Sequence, residues 1–183
     1  MTITASVYIA TSSDGFIARE DGSIDWLMEA NTSVPPGEDC GYAAFMNTVD
    51  VLIMGRNTYD QVAGFEPWPY SGKRVVVLTS RDVVFRQGPD ILLEKSTEPP
   101  QKLLARLSVA GCKHAYIDGG KVIQSFLSKG LIDKITVTTV PILIGQGRPL
   151  FGPLASDMKL RVVHSRAFEF GFIQTTYLAN TVA

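Results

Sequence analysis

The sequence predicts an α/β fold built on a mostly parallel sheet. Between residues 39 and 128, apolar runs of strand length alternate with stretches of helical spacing. Two of the junctions from strand to helix are glycine turns, at Gly55 and at Gly119-Gly120. After Gly130 the helical stretches stop while strand-like runs continue, which places an antiparallel edge at the C-terminal end.

In order along the chain, Ile3–Ala10 is rich in β-branched and aromatic residues and leads into Ser13-Asp14-Gly15, a strand followed by a turn. From Asp14 to Pro36 the chain carries Asp-Gly twice, Pro-Pro once and Trp26, the composition of a long ordered loop and a candidate lid. Tyr42, Phe45 and Met46 fall at helical spacing within Asp39–Asn47, and the run Val49–Met54 follows as a strand. The alternation continues through helix Asn57–Ala63, strand Arg74–Thr79, a short strand Ile91–Leu93, helix Pro100–Ala110, strand His114–Ile117 and helix Lys121–Ser128. Lys134–Val140, Arg161–Phe168 and Phe172–Ala179 are the closing strands. No repeat or linker divides the 183 residues, so one domain is expected.

Composition narrows the function classes. The chain is 45% hydrophobic and 19% charged with a net charge of -1, and its Lys and Arg residues are dispersed. That pattern offers no footprint for nucleic acid or an anionic membrane. No charged leader precedes an apolar run and no stretch is long enough to span a bilayer, so a cytoplasmic location is expected. Cys40 and Cys112 lack metal or disulfide spacing, and His114 and His164 stand alone in apolar strands, so no metal site is expected.

Chemistry concentrates in three turns. In Val51–Tyr59 an apolar strand ends in Gly55-Arg56 and enters a helix near Thr58; a helix N-terminus, a close backbone approach at Gly and a guanidinium together suit a phosphate. Taken alone it reads equally well as a capped turn with a surface Arg. Ala115–Ile123 repeats the logic through Gly119 and Gly120. Arg74–Arg81 ends in Thr79, Ser80 and Arg81, which could hold a ribose 2′-phosphate and favour NADPH over NADH; taken alone it reads rather as a turn with an ST-motif and a solvated Arg. Gly145-Gln-Gly147 lacks the rest of a dinucleotide fingerprint, and there is neither a P-loop nor a nucleophile elbow. Among carboxylates, Asp25, Glu38 and Asp39 lie in or just after the candidate lid; each is also a plausible helix cap or solvated charge.

With these segments in hand, Ile53–Tyr59, Leu78-Thr79-Ser80 and Ile117–Gly120 resemble the dihydrofolate reductase superfamily in order and spacing. The run Leu131–Phe151 and the opening Ser13–Ala18 are similar to the reductase domain of bacterial riboflavin biosynthesis, ahead of dihydrofolate reductase proper. The resemblance implies a single three-layer α/β/α domain of dihydrofolate-reductase type and an NADPH-dependent oxidoreductase acting on a small pyrimidine or pterin. It implies Gly55, Arg56 and Thr58 on the phosphates, Thr79, Ser80 and Arg81 at the 2′-phosphate, and Gly119, Gly120, Lys121, Val122 and Ile123 on the pyrophosphate. Ala10 and Ile17 match the nicotinamide pocket, and Asp39 is the ungapped match to the pocket carboxylate. A protein that binds NADPH for sensing without catalysis is the alternative from another class. The apolar run Ile135–Ile144, read as an edge strand, leads to the expectation of a homodimer.

Overall fold

A computed structural model describes residues 3–179. Ten strands and five helices follow in the order β1 (Thr4–Ser12), β2 (Phe16–Ala18), α1 (Asp25–Ala30), α2 (Tyr42–Thr48), β3 (Val51–Gly55), α3 (Arg56–Val62), β4 (Arg74–Leu78), β5 (Leu92–Ser96), α4 (Pro100–Val109), β6 (His114–Asp118), α5 (Gly120–Leu127), β7 (Lys134–Val140), β8 (Arg148–Pro149), β9 (Arg161–Ala167) and β10 (Ile173–Leu178). Eight strands form one sheet in the order β5-β4-β3-β6-β1-β7-β10-β9. The six from β5 to β7 are parallel, and β10 runs antiparallel to both β7 and β9. The parallel sheet and its antiparallel end are as the sequence predicts.

Side-chain alternation assigns the two faces. Val51, Ile53, Val76, Ala115, Ile117 and Ile135 point toward α4 and α5, joining Leu103, Leu107, Ile123 and Phe126 in one core. Leu52, Met54, Val75, Val77 and Tyr116 point the other way, against Tyr59 and Val62 of α3 with Tyr42 and Phe45 of α2. Such uninterrupted apolar strands, covered on both faces by helices, are what a parallel sheet requires. The result is the three-layer α/β/α arrangement.

Three expectations are corrected. Residues 14–36 are more than a loop: they hold β2, α1 and a short 3-10 turn at Asn31–Ser33. Trp26, 1% exposed, packs with Val140, Phe168 and Phe172, so distant burial orders a segment whose local composition favours turns. The helix expected from Asp39 begins at Tyr42, because Cys40 and Gly41 both have positive φ, 55° and 84°. Finally, β7 is interior, paired on both sides by β1 and β10. Its apolar character is that of a core strand, with Ile135 and Val140 buried, and the edge premise for a dimer is removed. Among the described residues the sheet's edges are β5 and β9, and β9 is exposed at all seven residues.

Candidate functional site

The three turns singled out by sequence leave the C-terminal ends of β4, β3 and β6, which are consecutive in the sheet, and β1 with Ala10 comes next. Three strand spacings, roughly 14 Å in all, separate β4 from β1. The turns also touch. Arg81 Nη2 lies 3.4 Å from Asn57 Oδ1 in α3, and Arg56 Nη1 donates to the Asp82 carbonyl. A Cβ added to Gly119 would collide with Thr58 Oγ1, and one added to Gly55 would lie 3.3 Å from Val122 Cγ2. Glycine is required at position 119, where the β3–α3 and β6–α5 turns meet.

Local hydrogen bonding decides what each turn can offer. Gly119 N–H donates to Asp118 Oδ1 at 2.8 Å, and Ile123 N–H donates to the Gly119 carbonyl at 2.9 Å. Ile123 is fully buried and Val122 nearly so. Within Gly119–Ile123, therefore, a ligand is left the N–H groups of Gly120, Lys121 and Val122, the first turn of α5, which carries no side-chain cap. Neither the Gly119 nor the Ile123 N–H is free for it. A Cβ on Gly120 would meet Ile17 Cδ1 at 2.9 Å, which places Ile17 at the mouth of this turn. Arg56 holds Asp60 through Nε at 2.6 Å, leaving Nη2 uncommitted among the described residues. Ser80 and Arg81 are exposed and Thr79 half-buried; Thr79 Oγ1 accepts the Arg81 N–H at 3.1 Å.

Beside these turns the sheet opens. β1 pairs with β7 over seven residues, Ser6 to Ser12, but with β6 only from Thr4 to Ser6. Asp118, at the end of β6, faces the α2 side of this gap. Tyr42, Tyr70 and Tyr116 surround it closely enough for its charge to raise all three phenols. Burial pushes the Asp118 carboxyl up to about 6, against the single opposing hydrogen bond from Gly119 N–H. Burial chiefly, with Asp118 second, pushes Tyr42 up to about 12. Asp118 Oδ2 has no partner among the described residues. The site thus holds a half-buried carboxyl, able to carry a proton near neutral pH, at the end of a row of phosphate-type turns.

Asp39 is placed differently. Its oxygens accept the N–H groups of Ala43 at 2.7 Å and Gly41 at 2.8 Å, and these bonds hold its pKa below the ordinary carboxylate range. It is an exposed cap on α2, so Asp39→Ala is expected to cost about 1 kcal/mol in chemical denaturation. Asp25 pairs with Arg19, and Glu38 accepts the Cys40 N–H. Asp118 is the carboxyl the sequence reading passed over; an acid closing an apolar strand directly before Gly-Gly was the signal for it.

Comparison with known proteins follows from this geometry. The family model described as the RibD C-terminal domain matches residues 4–173. The chain belongs to the RibD C-terminal domain family. YwjB of Bacillus subtilis, an uncharacterized protein, is 37% identical over 165 residues, covering 88% of this chain and 90% of YwjB. A crystal structure from Shewanella sp. PV-4, whose name assigns it provisionally to riboflavin biosynthesis, is 41% identical with a TM-score of 0.86, covering 97% of this chain and 99% of the other. RibD of Acinetobacter baumannii shares the fold, with a TM-score of 0.70 at 15% identity; the match covers 98% of this chain and 58% of that one.

All thirteen cofactor positions named from sequence, from Ala10 to Ile123, fall inside the span matched by the RibD C-terminal domain. Among the described residues no cluster of three His, Cys, Asp or Glu side chains could hold a metal, and no helix is long and apolar enough to cross a membrane. His114 is engaged instead with Ser6 Oγ at 2.8 Å and Thr48 Oγ1 at 2.9 Å, at the opposite end of β6 from Asp118.

Proposed function

We propose that this chain is an NADPH-dependent reductase of a small planar heterocycle, a riboflavin-pathway-type pyrimidine or a pterin. The observation that carries the reading is the mutual contact of three glycine- and hydroxyl-bearing turns on consecutive strands, ending at the gap beside Ala10 and Asp118. The N–H groups of Gly120, Lys121 and Val122, with Gly55, Arg56 and Thr58, would hold the phosphates at helix N-termini. Thr79, Ser80 and Arg81 would take the adenosine 2′-phosphate. Ala10 and Ile17 would wall the nicotinamide end. The fit is supported by Gly119, whose missing side chain lets the β6–α5 turn close against Thr58 of the β3–α3 turn.

NADPH supplies the hydride when bound. The chain's own share is to align the acceptor in the gap, exclude water and provide the proton taken up by the nitrogen or oxygen of the bond that is reduced. Asp118 Oδ2 is suited to that transfer, since a carboxyl poised near 6 is partly protonated at working pH. Phosphate oxygens nearby would raise it further by like-charge repulsion.

The test is a fluorescence titration with NADPH and NADH. NADPH is expected to bind the more tightly. Arg56→Ala should weaken it roughly tenfold, the scale of one charged hydrogen bond. Equal affinity for the two cofactors, or an unchanged curve for Arg56→Ala, would overturn the placement.

A further inference from the structure

We propose that Gln174 is a specificity-determining residue. Its Oε1 accepts an N–H from the substrate ring, so that the chain selects a heterocycle with an unsubstituted cyclic amide edge. The inference deepens the reductase reading and rests on it for the position of the ring. Gln174 lies on β10 opposite Thr138 of β7, which in turn lies opposite Ala10 of β1. The three form one row across the sheet, and the Gln174 contacts to Tyr8 and Cys40 put that row on the α2 side, where the gap beside β6 opens.

The orientation of this amide is determined by its partners. Gln174 Nε2 lies 2.9 Å from the Cys40 carbonyl, 3.0 Å from Tyr8 Oη and 2.9 Å from Thr138 Oγ1. A carbonyl can only accept, so the nitrogen must face Cys40. Tyr8 gives its own proton to the same carbonyl and therefore accepts from Gln174. Two amide protons thus meet three acceptors, and the nitrogen side is saturated.

The oxygen side is not. Gln174 is only 8% exposed, yet no described residue donates to Oε1. It is also absent from the unpaired atoms sealed away from solvent, which are the indole nitrogens of Trp26 and Trp68. A buried acceptor that is unpaired but still accessible is a place for a ligand donor. Thr138, buried beside it, accepts from Gln174 and keeps its own hydroxyl proton to give. Ala10 adds only a methyl group to the row. An acceptor and a donor side by side match the N–H and C=O of a cyclic amide.

The experiment uses the full chain saturated with NADPH, titrated with lumazine (pteridine-2,4-dione) and with 1,3-dimethyllumazine, which keeps both carbonyls and lacks ring N–H. Lumazine is expected to bind at least about tenfold more tightly, the worth of one well-made hydrogen bond. Gln174→Met, which has no acceptor oxygen, should erase that preference. If both ligands bind wild type equally, or neither binds, the inference is overturned while the cofactor reading stands on NADPH binding in the same samples. A preference that survives in a folded Gln174→Met variant overturns it as well. Should NADPH fail to bind, the cofactor reading falls; the ligand pair repeated without NADPH then decides the Gln174 inference, which stands if lumazine is still preferred and falls if it is not. The wild-type comparison does not depend on any variant folding.

Discussion

Gly119→Ala is expected to destabilise the protein by at least about 3 kcal/mol and to remove measurable NADPH binding. Gly119 has φ 84° and ψ 131°, a backbone conformation that residues with a side chain rarely adopt. The added methyl would also run into Thr58 Oγ1, and Thr58 sits in the first turn of α3 with little freedom to retreat. Relief requires the β3–α3 and β6–α5 turns to separate, and their contact forms the surface proposed for the phosphates. Gly120→Ala is the matched control. Its methyl meets the far end of the Ile17 side chain, which can swing aside, and its φ is not positive. Chemical denaturation of the two variants should therefore diverge. Similar behaviour of both would refute the idea that the two turns depend on each other.

Asp118→Asn is expected to make the protein more stable and less active. The folded carboxyl titrates near 6 against an unfolded value near 3.9, so its favourable contribution is complete below about pH 4 and is lost as pH rises through 6. Above pH 7 the charged form therefore costs up to about 3 kcal/mol, which asparagine avoids. The variant should melt several degrees higher than wild type at pH 7.5, with the difference vanishing toward pH 4. Turnover should fall, and the limb of the pH–rate profile set by this acid should disappear. A carboxyl retained where it weakens the fold is the mark of a working group. If the two proteins melt together at every pH, this account of Asp118 fails.

Much of this was legible from sequence because the decisive residues are ones for which chemistry leaves few substitutes. Gly119 has to be glycine for backbone reasons alone, and strand, glycine and helix follow one another directly in the chain. Strand order was not legible in the same way. The run around Ile135 is equally apolar as an edge or as an interior strand, and only pairing with both β1 and β10 distinguishes them. Trp26 sits among turn-forming residues whose local preference is overruled by Val140, Phe168 and Phe172 from more than a hundred residues away. Asp39 is the ungapped match to the pocket carboxylate, yet burial, which no linear match reveals, falls on Asp118. Gln174 looked like an ordinary polar residue in a closing strand until its partners from β1, β7 and the Cys40 turn were assembled around it.

The short pairing between β1 and β6 has a mechanical meaning. Four strands, β5, β4, β3 and β6, lie on one side of that seam and four, β1, β7, β10 and β9, on the other, and among the described residues the ladder between them has three residue pairs, with Tyr116 Oη to the Tyr8 carbonyl and His114 Nε2 to Ser6 Oγ crossing beside it. Each half is laddered internally along longer runs, so the seam is where bending of the sheet is expected. The turns proposed for the phosphates ride on one half and the Ala10, Thr138 and Gln174 row on the other. A cofactor reaching from Arg81 to Ala10 would span both halves, and the distance between its hydride and an acceptor on that row would then be set by how far this seam opens.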